Sequence, residues 1–219
     1  MVRVGRRADS TAIRTAGKLT HARVVAGLEA RVPKLGVFNL VSLDGFIADR
    51  NGDMSWAHEG HGDAEWSAFT AENAGGGGAL VFGRVTYELM VRYWPTPMAA
   101  QAMPDVAERM NALPKIVFSR TLEKVSWQNT RLVKGDLVAE MRRLKQGSGP
   151  DMVILGSGSI VGQLAVEGLI DDYRVALSPV VLGRGKTMFE AVTRRLDLRL
   201  TGARTFANGT VVLSYQPAG

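Results

Sequence analysis

A glycine-rich turn between an apolar run and a helical pattern is the first feature of the sequence that could bind a ligand. Residues 153–164 read VILGSGSIVGQL, in which Gly156 and Gly158 let the backbone approach a bound group closely. Ser157 and Ser159 add two hydroxyls, and the first turn of the following helix adds N–H groups that lack a partner within the helix. This combination favours a phosphate group as the ligand.

The glycine spacing differs from the dinucleotide motif of a Rossmann fold. That motif is Gly-x-Gly-x-x-Gly after the first strand, with an acidic residue about 20 residues further on. Here the third glycine, Gly162, comes one residue late, the acidic pair Asp171-Asp172 begins the next strand, and the motif lies late in the chain. A Rossmann fold is therefore excluded. A phosphate site and a tight turn, with Ser159 as the helix N-cap and Gly162 as a packing position, both stay open.

Two further strand ends carry the same kinds of groups. The segment VFGRVTYE places Arg84 and Thr86 just after Gly83, and KIVFSRTL contains Ser119 and Arg120 where the strand ends. Arginine pairs bidentately with phosphate, and ligands of open α/β sheets bind at the carboxyl edge of the sheet. Three such strand ends predict a polyanionic ligand, and two arginines suit the 2′-phosphate of NADPH. Surface salt bridges are the alternative for both arginines.

Alternating strand and helix patterns must position these segments. Strand patterns begin at residues 35, 79, 115, 151 and 173, and helix patterns lie at 63–74, 84–90, 105–113, 136–146 and after the glycine turn. Three prolines predict a loop over 92–104. Two strand patterns, 196–206 and 210–216, flank Asn208-Gly209, the strongest short signal for a hairpin. The fold class is therefore α/β, with a mixed sheet that is mostly parallel and antiparallel at its C-terminal edge.

The positive charge of the chain is confined to its beginning. The 219 residues carry a net charge of +6, and residues 1–34 hold eight Lys and Arg against two acidic residues. The remaining chain is neutral, so no nucleic-acid-binding face is predicted on the folded body. Residues 1–34 are predicted to be a basic, disordered extension, with a targeting or nucleic-acid-binding arm as the alternative. Residues 35–219 are predicted to form a single domain.

The composition also bears on the class of protein and its compartment. The chain has no cysteine, which excludes disulfides and thiolate metal sites, and no metal site is predicted. No apolar run approaches the roughly 20 residues that span a bilayer. These features predict a cytoplasmic protein without a membrane segment.

The order and spacing of the quoted segments resemble one known family. From Val37 to Tyr215 the chain resembles the dihydrofolate-reductase-like superfamily, closest to the reductase domain of riboflavin biosynthesis (the RibD C-terminal domain). The segments that carry the resemblance are SLDGFIAD, FGRVTYE, KIVFSRTLE, LGSGSIVGQL, LIDDYRVALSPVVLGRGKTMF and NGTVVLSYQP. The resemblance implies a three-layer α/β/α fold and an NADPH-dependent reductase.

The resemblance also implies which residues form the site. The cofactor-binding residues would be Gly83, Arg84, Thr86, Ser119, Arg120, Gly156, Ser157, Gly158, Ser159, Ile160 and Gln163. The substrate-binding residues, in and after the loop that follows the first strand, would be Ser42, Asp44, Gly45, Ile47 and Trp56.

Two aspartates are the candidate catalytic residues. Asp44 matches the aspartate that lies at the substrate in riboflavin reductases, and a turn-forming Asp before Gly is the alternative. Asp63 precedes Trp66 with the spacing of the carboxylate motif that holds the pterin in dihydrofolate reductases. The alternative for Asp63 is an N-cap or first-turn acid that the helix dipole favours.

The expected activity is hydride transfer from NADPH to a small heterocyclic, pterin- or pyrimidine-like, or imine or carbonyl substrate. The protein would be a stand-alone relative of the 5-amino-6-(5-phosphoribosylamino)uracil reductase domain. The cluster of basic residues that a sugar phosphate needs is not present around Trp56, where the sequence reads GDMSWAHEG. A nucleotide-binding module without turnover is the alternative function, and the resemblance makes a homodimer plausible.

Overall fold

An eight-stranded sheet forms the centre of the fold. The computed structural model describes residues 31–58, 63–74 and 78–219, and Val32–Gly219 form one compact unit. The predicted extension, apart from residues 31–34, lies outside the described residues. Along the sheet the strands follow the order β5 (Thr130–Val133), β4 (Lys115–Phe118), β3 (Ala79–Gly83), β6 (Met152–Leu155), β1 (Leu35–Ser42), β7 (Asp172–Ser178), β10 (Val211–Pro217) and β9 (Leu198–Thr205).

The strand directions confirm the predicted mixed sheet. From β5 to β7 every neighbouring pair is parallel, whereas β10 runs antiparallel to both β7 and β9. The hairpin of β9 and β10 turns at Asn208-Gly209, and Gly209 has a positive φ of 84°. The Asn-Gly pair therefore closes the sheet as predicted.

Helices cover both faces of the sheet because side chains alternate along each strand. The helices are α1 (Ala64–Ala74), α2 (Arg84–Tyr93), α3 (Pro97–Ala102), α4 (Pro104–Ala112), α5 (Leu137–Gln146) and α6 (Gly158–Val166). In β3, Val81 packs in the cluster that contains residues of α5 and α6, and Phe82 packs in the cluster that contains residues of α2 and α4. Residues of α1 pack with β1, β7 and β10 in a third cluster. This arrangement is the predicted three-layer α/β/α fold.

The proline-rich segment is more ordered than predicted. Residues 92–104 were expected to form a loop, but they contain α3. Pro97 occupies the first turn of that helix, where its missing N–H costs nothing, and the Thr96 side chain accepts a hydrogen bond from Ala99 N. The sequence pattern also missed β5 and the small two-stranded sheet of β2 (Phe46–Asp49) and β8 (Gly185–Thr187).

A buried lysine begins β4. Lys115 is 1% exposed, and its Nζ donates to the carbonyl oxygens of Asn111, Leu113 and Gln128 at 3.0, 2.7 and 3.3 Å. Nζ also lies 4.4 Å from the centroid of the Trp127 ring. The side chain thereby ties the end of α4 to the segment before β5, while burial lowers the pKa of Lys115 to about 8.

This lowered pKa predicts a specific pH dependence of stability. An unfolded lysine holds its proton up to about pH 10.4, so between pH 8 and that value the unfolded chain binds more protons than the folded one. The contribution of Lys115 to the free energy of unfolding should therefore rise with pH, by up to about 3 kcal/mol across this window. Urea denaturation of the wild type and Lys115→Met at several pH values measures it. Parallel pH profiles for the two proteins would contradict the assignment.

Candidate active site

The three segments singled out from the sequence lie side by side at the carboxyl edge of the sheet. They follow β4, β3 and β6, which are consecutive and parallel. Gly83 at the end of β3 is in register with Phe118 at the end of β4, and Val81 with Ile154 of β6. Ser119-Arg120, Gly83-Arg84 and the glycine turn after β6 therefore share one edge.

Ser157 joins the glycine turn to the end of β3. Its Oγ accepts a hydrogen bond from Gly83 N at 2.9 Å and lies 3.0 Å from Thr86 Oγ1, to which Ser157 N also donates at 3.1 Å. A side chain at Gly156 would meet Thr86, because an ideal Cβ there lies 2.9 Å from Thr86 Cγ2, and the φ of Gly156 is +61°. The N-termini of α2 and α6 thus form one unit.

Asn39 fixes the glycine turn from the neighbouring strand β1, and the sequence analysis missed it. Asn39 is 3% exposed; its Oδ1 accepts from Gly156 N at 2.6 Å and its Nδ2 donates to Gly156 O at 3.3 Å. The signal was present, since Asn39 is the single amide side chain in the apolar run of β1. A buried amide there needs partners, and the turn supplies them.

The two arginines differ in their surroundings. Arg84 forms a salt bridge of 3.0 Å with Glu88, one turn further along α2, and 46% of the Arg84 side chain is exposed. This is the surface salt bridge that the alternative interpretation predicted. Such an exposed ion pair contributes roughly 0–1 kcal/mol to the free energy of unfolding. A bound phosphate could therefore compete with Glu88 for the guanidinium. Arg120 is exposed and makes no ion pair within the described part of the chain. The adjacent Ser119 Oγ accepts from the N–H groups of Thr121 and Leu122.

The start of α6 differs from the expected capping. Ser157, in a left-handed conformation with φ +54°, occupies the N-cap position, so the idea that Ser159 is the N-cap is wrong. Ser159 is exposed in the first turn, while Ile160 is 4% exposed and packs in the core. Gln163 Nε2 donates to Ser159 O on the helix surface. The first-turn backbone of α6, rather than the Ile160 side chain, therefore faces the edge.

The loop after β1 is held by Asp44. Ser42, fully buried, donates through Oγ to Asp44 Oδ1 at 2.7 Å and accepts from Phe46 N. The carboxylate also accepts from Leu182 N and Gly183 N, at 3.1 and 2.7 Å. These bonds, led by the Ser42 hydroxyl, lower the pKa of Asp44. Asp44 is therefore an ionised anchor between two loops in this structure.

Gly45 and Ile47 complete this loop. Gly45 has a φ of +93°, a conformation that glycine adopts readily, and it completes the turn that the Asp-Gly pair predicted. Ile47 is 8% exposed, and its Cδ1 lies 3.1 Å from where a Cβ on Gly158 would stand. The loop after β1 therefore packs directly against the glycine turn.

Asp63 caps α1, as its alternative interpretation proposed. Its carboxylate accepts from the N–H groups of Glu65 and Trp66 in the first turn, and from Asn208 N in the hairpin turn. These bonds, the one from Trp66 foremost, lower the pKa of Asp63. Asp63 thus fastens the hairpin of β9 and β10 to α1, and it is ionised at neutral pH.

Replacing Asp63 should affect stability and not cofactor affinity. Asp63→Ala removes the cap and the bond to Asn208, and we expect the melting temperature to fall by about 2–4 °C, with an unchanged dissociation constant for NADPH. Asp63→Asn should lower the melting temperature less, because asparagine is also a good N-cap residue. Thermal denaturation and cofactor titration of both variants measure these effects. Weakened NADPH binding by Asp63→Asn would instead place this side chain in the cofactor site.

Trp56 lies apart from the three segments. It belongs to a short 3₁₀ helix, Ser55–His58, and is 8% exposed. Trp56 lines a small cavity together with residues of β1, β7 and the hairpin turn. None of the helices in the described ranges is long and apolar enough to cross a membrane.

The sheet order, the single antiparallel strand β10 and the helices on both faces define a reductase fold of the dihydrofolate reductase type. Dihydrofolate reductase from Enterococcus faecalis, solved with NADP(H), shares this fold with a TM-score of 0.58 and 15% identity, over 85% of this chain and 97% of that one. The RibD C-terminal domain model matches residues 33–212. The chain belongs to the RibD C-terminal domain family.

The chain is also similar to two curated proteins and to a further solved structure. Two uncharacterized proteins of Bacillus subtilis, YyaP and YwjB, are each 29% identical, over 80% and 83% of this chain and 90% and 97% of their own lengths. A deaminase and 5-amino-6-(5-phosphoribosylamino)uracil reductase from Thermotoga maritima matches with a TM-score of 0.60 and 15% identity, over 85% of this chain and 57% of that protein.

Proposed function

We propose that this chain binds NADPH across the carboxyl ends of β4, β3 and β6 and reduces a small heterocyclic, imine or carbonyl substrate. The observation that carries the proposal is the union of three segments at one edge, with Ser157 bonded to both Gly83 and Thr86. The similar fold of a dihydrofolate reductase solved with NADP(H) supports it. We also propose that the protein is a cytoplasmic homodimer.

The residues at this edge fit a dinucleotide phosphate. The N-termini of α2 and α6 lie together, and the first N–H groups of each helix lack partners within the helix. Gly83 and Gly156 let the two segments pack closely together, and their N–H groups donate to Ser157 Oγ and Asn39 Oδ1. Arg84 and Arg120 add two guanidinium groups, which suit the extra phosphate that separates NADPH from NADH.

In this proposal the protein binds and positions the reactants. NADPH supplies the hydride when it is bound. The Asn39 amide and the Ser157 hydroxyl keep the glycine turn in place, and Asp44 holds the loop after β1 against the loop after β7. Both candidate aspartates accept backbone hydrogen bonds as carboxylates, so neither supplies a proton at neutral pH. The proton that accompanies the hydride would come from water at the substrate.

One observation favours the alternative, a nucleotide-binding module without turnover. Both aspartates considered as proton donors are ionised and occupied by structural hydrogen bonds. One assay distinguishes the two functions. It measures the oxidation of NADPH by absorbance in the presence of a panel of pterins, pyrimidines and cyclic imines. We expect at least one substrate to accelerate oxidation. Tight NADPH binding with no acceleration by any member would support the binding module instead.

A further inference from the structure

Three charged side chains follow one face of α2. Arg84, Glu88 and Arg92 are spaced four residues apart, so each lies about one turn further along the helix surface than the one before. The helix that carries them is held firmly. Thr86 bonds to the glycine turn, and Tyr87, 2% exposed, accepts two backbone hydrogen bonds from the segment before β5. The backbone positions of the three charged residues are therefore fixed relative to the edge of the sheet.

Glu88 pairs with the arginine that precedes it and not with the one that follows it. Arg84 Nη1 donates to both carboxylate oxygens of Glu88, at 3.2 and 3.0 Å. Arg92 is exposed and makes no ion pair with any residue of the described ranges, although it is also four residues from Glu88. One carboxylate thus has two guanidinium groups as neighbours along the helix and uses only Arg84.

This pairing is the less favourable of the two for the helix. A glutamate four residues before an arginine stabilises a helix more than the reverse order, because the N-terminus of a helix favours negative charge and its C-terminus favours positive charge. Glu88 and Arg92 have the favoured order, whereas Arg84 and Glu88 have the reverse order, and Arg84 is the first residue of α2. Helix stability therefore does not explain Arg84, whereas an anionic ligand at the edge of the sheet does.

We propose that Glu88 is an internal competitor of the cofactor phosphate and thereby a specificity-determining residue. In the free protein its carboxylate occupies Arg84. When the 2′-phosphate of NADPH binds to Arg84, the carboxylate moves to Arg92, and no covalent bond changes. The inference rests on the proposed function, in which Arg84 pairs with that phosphate. Glu88 then lowers the affinity for NADPH, leaves the affinity for NADH nearly unchanged, and so reduces the preference for NADPH.

Arg92 gives the displaced carboxylate a second partner. A phosphate group has more negative charge and more acceptor oxygens than a carboxylate, so it displaces Glu88 from an exposed ion pair. Glu88 stands four residues from Arg84, a rise of roughly 6 Å along the helix. This distance is shorter than the Debye length of about 8 Å at physiological salt, so a displaced carboxylate without a partner repels the phosphate. Pairing with Arg92 reduces this repulsion.

Replacing Glu88 by glutamine tests the competition. Glu88→Gln keeps the size and helix propensity of the side chain and removes its charge. We expect isothermal titration to show NADPH binding about three- to fivefold tighter than in the wild type, and NADH binding changed by less than about 1.5-fold. Glu167→Gln is the matched control, because Glu167 pairs with Arg142 on the surface and its replacement changes the net charge equally. Equal gains in the two variants would overturn the proposal, since net charge would then account for both.

Replacing Arg92 tests the exchange of partners. Arg92→Gln should weaken NADPH binding about two- to threefold in the wild-type protein, because the displaced carboxylate loses its second partner. In a protein that also carries Glu88→Gln, the same change should alter NADPH affinity by less than about 1.5-fold. A general attraction between Arg92 and the cofactor would act in both backgrounds, so equal losses in the two backgrounds would overturn the exchange.

The same titrations separate this inference from the proposed function. NADPH binding that Glu88→Gln leaves unchanged would overturn the role of Glu88 and leave the reductase proposal standing. No NADPH binding by either the wild type or Glu88→Gln would overturn the proposed function itself.

Discussion

Replacing both edge arginines by alanine should weaken NADPH binding by at least about 100-fold. A hydrogen bond to a charged group contributes about 1.5–3 kcal/mol, and Arg84→Ala with Arg120→Ala removes the charged side chains assigned to the cofactor phosphates. Loss of the exposed pair between Arg84 and Glu88 costs the free protein little. Isothermal titration with NADPH measures the change, and NADH affinity should fall much less, so that the preference for NADPH disappears.

A matched double variant controls for net charge. Arg142 and Arg195 each pair with an acidic residue on the surface, Glu167 and Asp197. Arg142→Ala with Arg195→Ala removes the same two charges, and we expect an NADPH affinity within about twofold of the wild type. Equal losses in the two double variants would mean that overall charge, rather than the edge of the sheet, attracts the cofactor.

Gly158→Val should be the most damaging single substitution at the site. An ideal Cβ on Gly158 stands 2.6 Å from the backbone oxygen of Thr187 and 3.1 Å from Ile47 Cδ1. The backbone of β8 cannot move aside as a flexible side chain would, so we expect the free energy of unfolding to fall by about 3 kcal/mol. NADPH binding should also weaken, because the first turn of α6 must shift.

Gly135→Val is the control for this substitution. No atom lies within 4 Å of a Cβ at Gly135, so its free energy of unfolding should change by about 0.5 kcal/mol or less. Urea denaturation compares the two variants. A Gly158→Val protein as stable as the control would show that the glycine turn and the β2–β8 sheet do not pack as closely as described.

Local patterns predicted the fold well because they depend on neighbouring residues. The strand, glycine turn and helix around Gly156 follow from a short apolar run and residues of special conformation. The Asn208-Gly209 hairpin follows from the turn chemistry of two residues. The common edge of the three segments follows from the parallel direction of their strands. These features need no knowledge of distant contacts.

The roles of the acidic residues could not be predicted in this way. The oxygens of Asp44 accept from Leu182 and Gly183, which lie 138 and 139 residues further along the chain. Asp63 accepts from Asn208, 145 residues away. A pattern shows that such an aspartate can form a turn or a cap, but only the tertiary structure shows that its hydrogen-bonding capacity is occupied. The same holds for Asn39, whose partner Gly156 is 117 residues distant.

Isothermal titration of the wild-type protein with NADPH and with NADH tests the central claim most directly. We predict a micromolar dissociation constant for NADPH and binding of NADH at least about tenfold weaker, because only NADPH carries the phosphate that the two arginines can pair with. NADH binding as tight as that of NADPH, or tighter, would contradict the account.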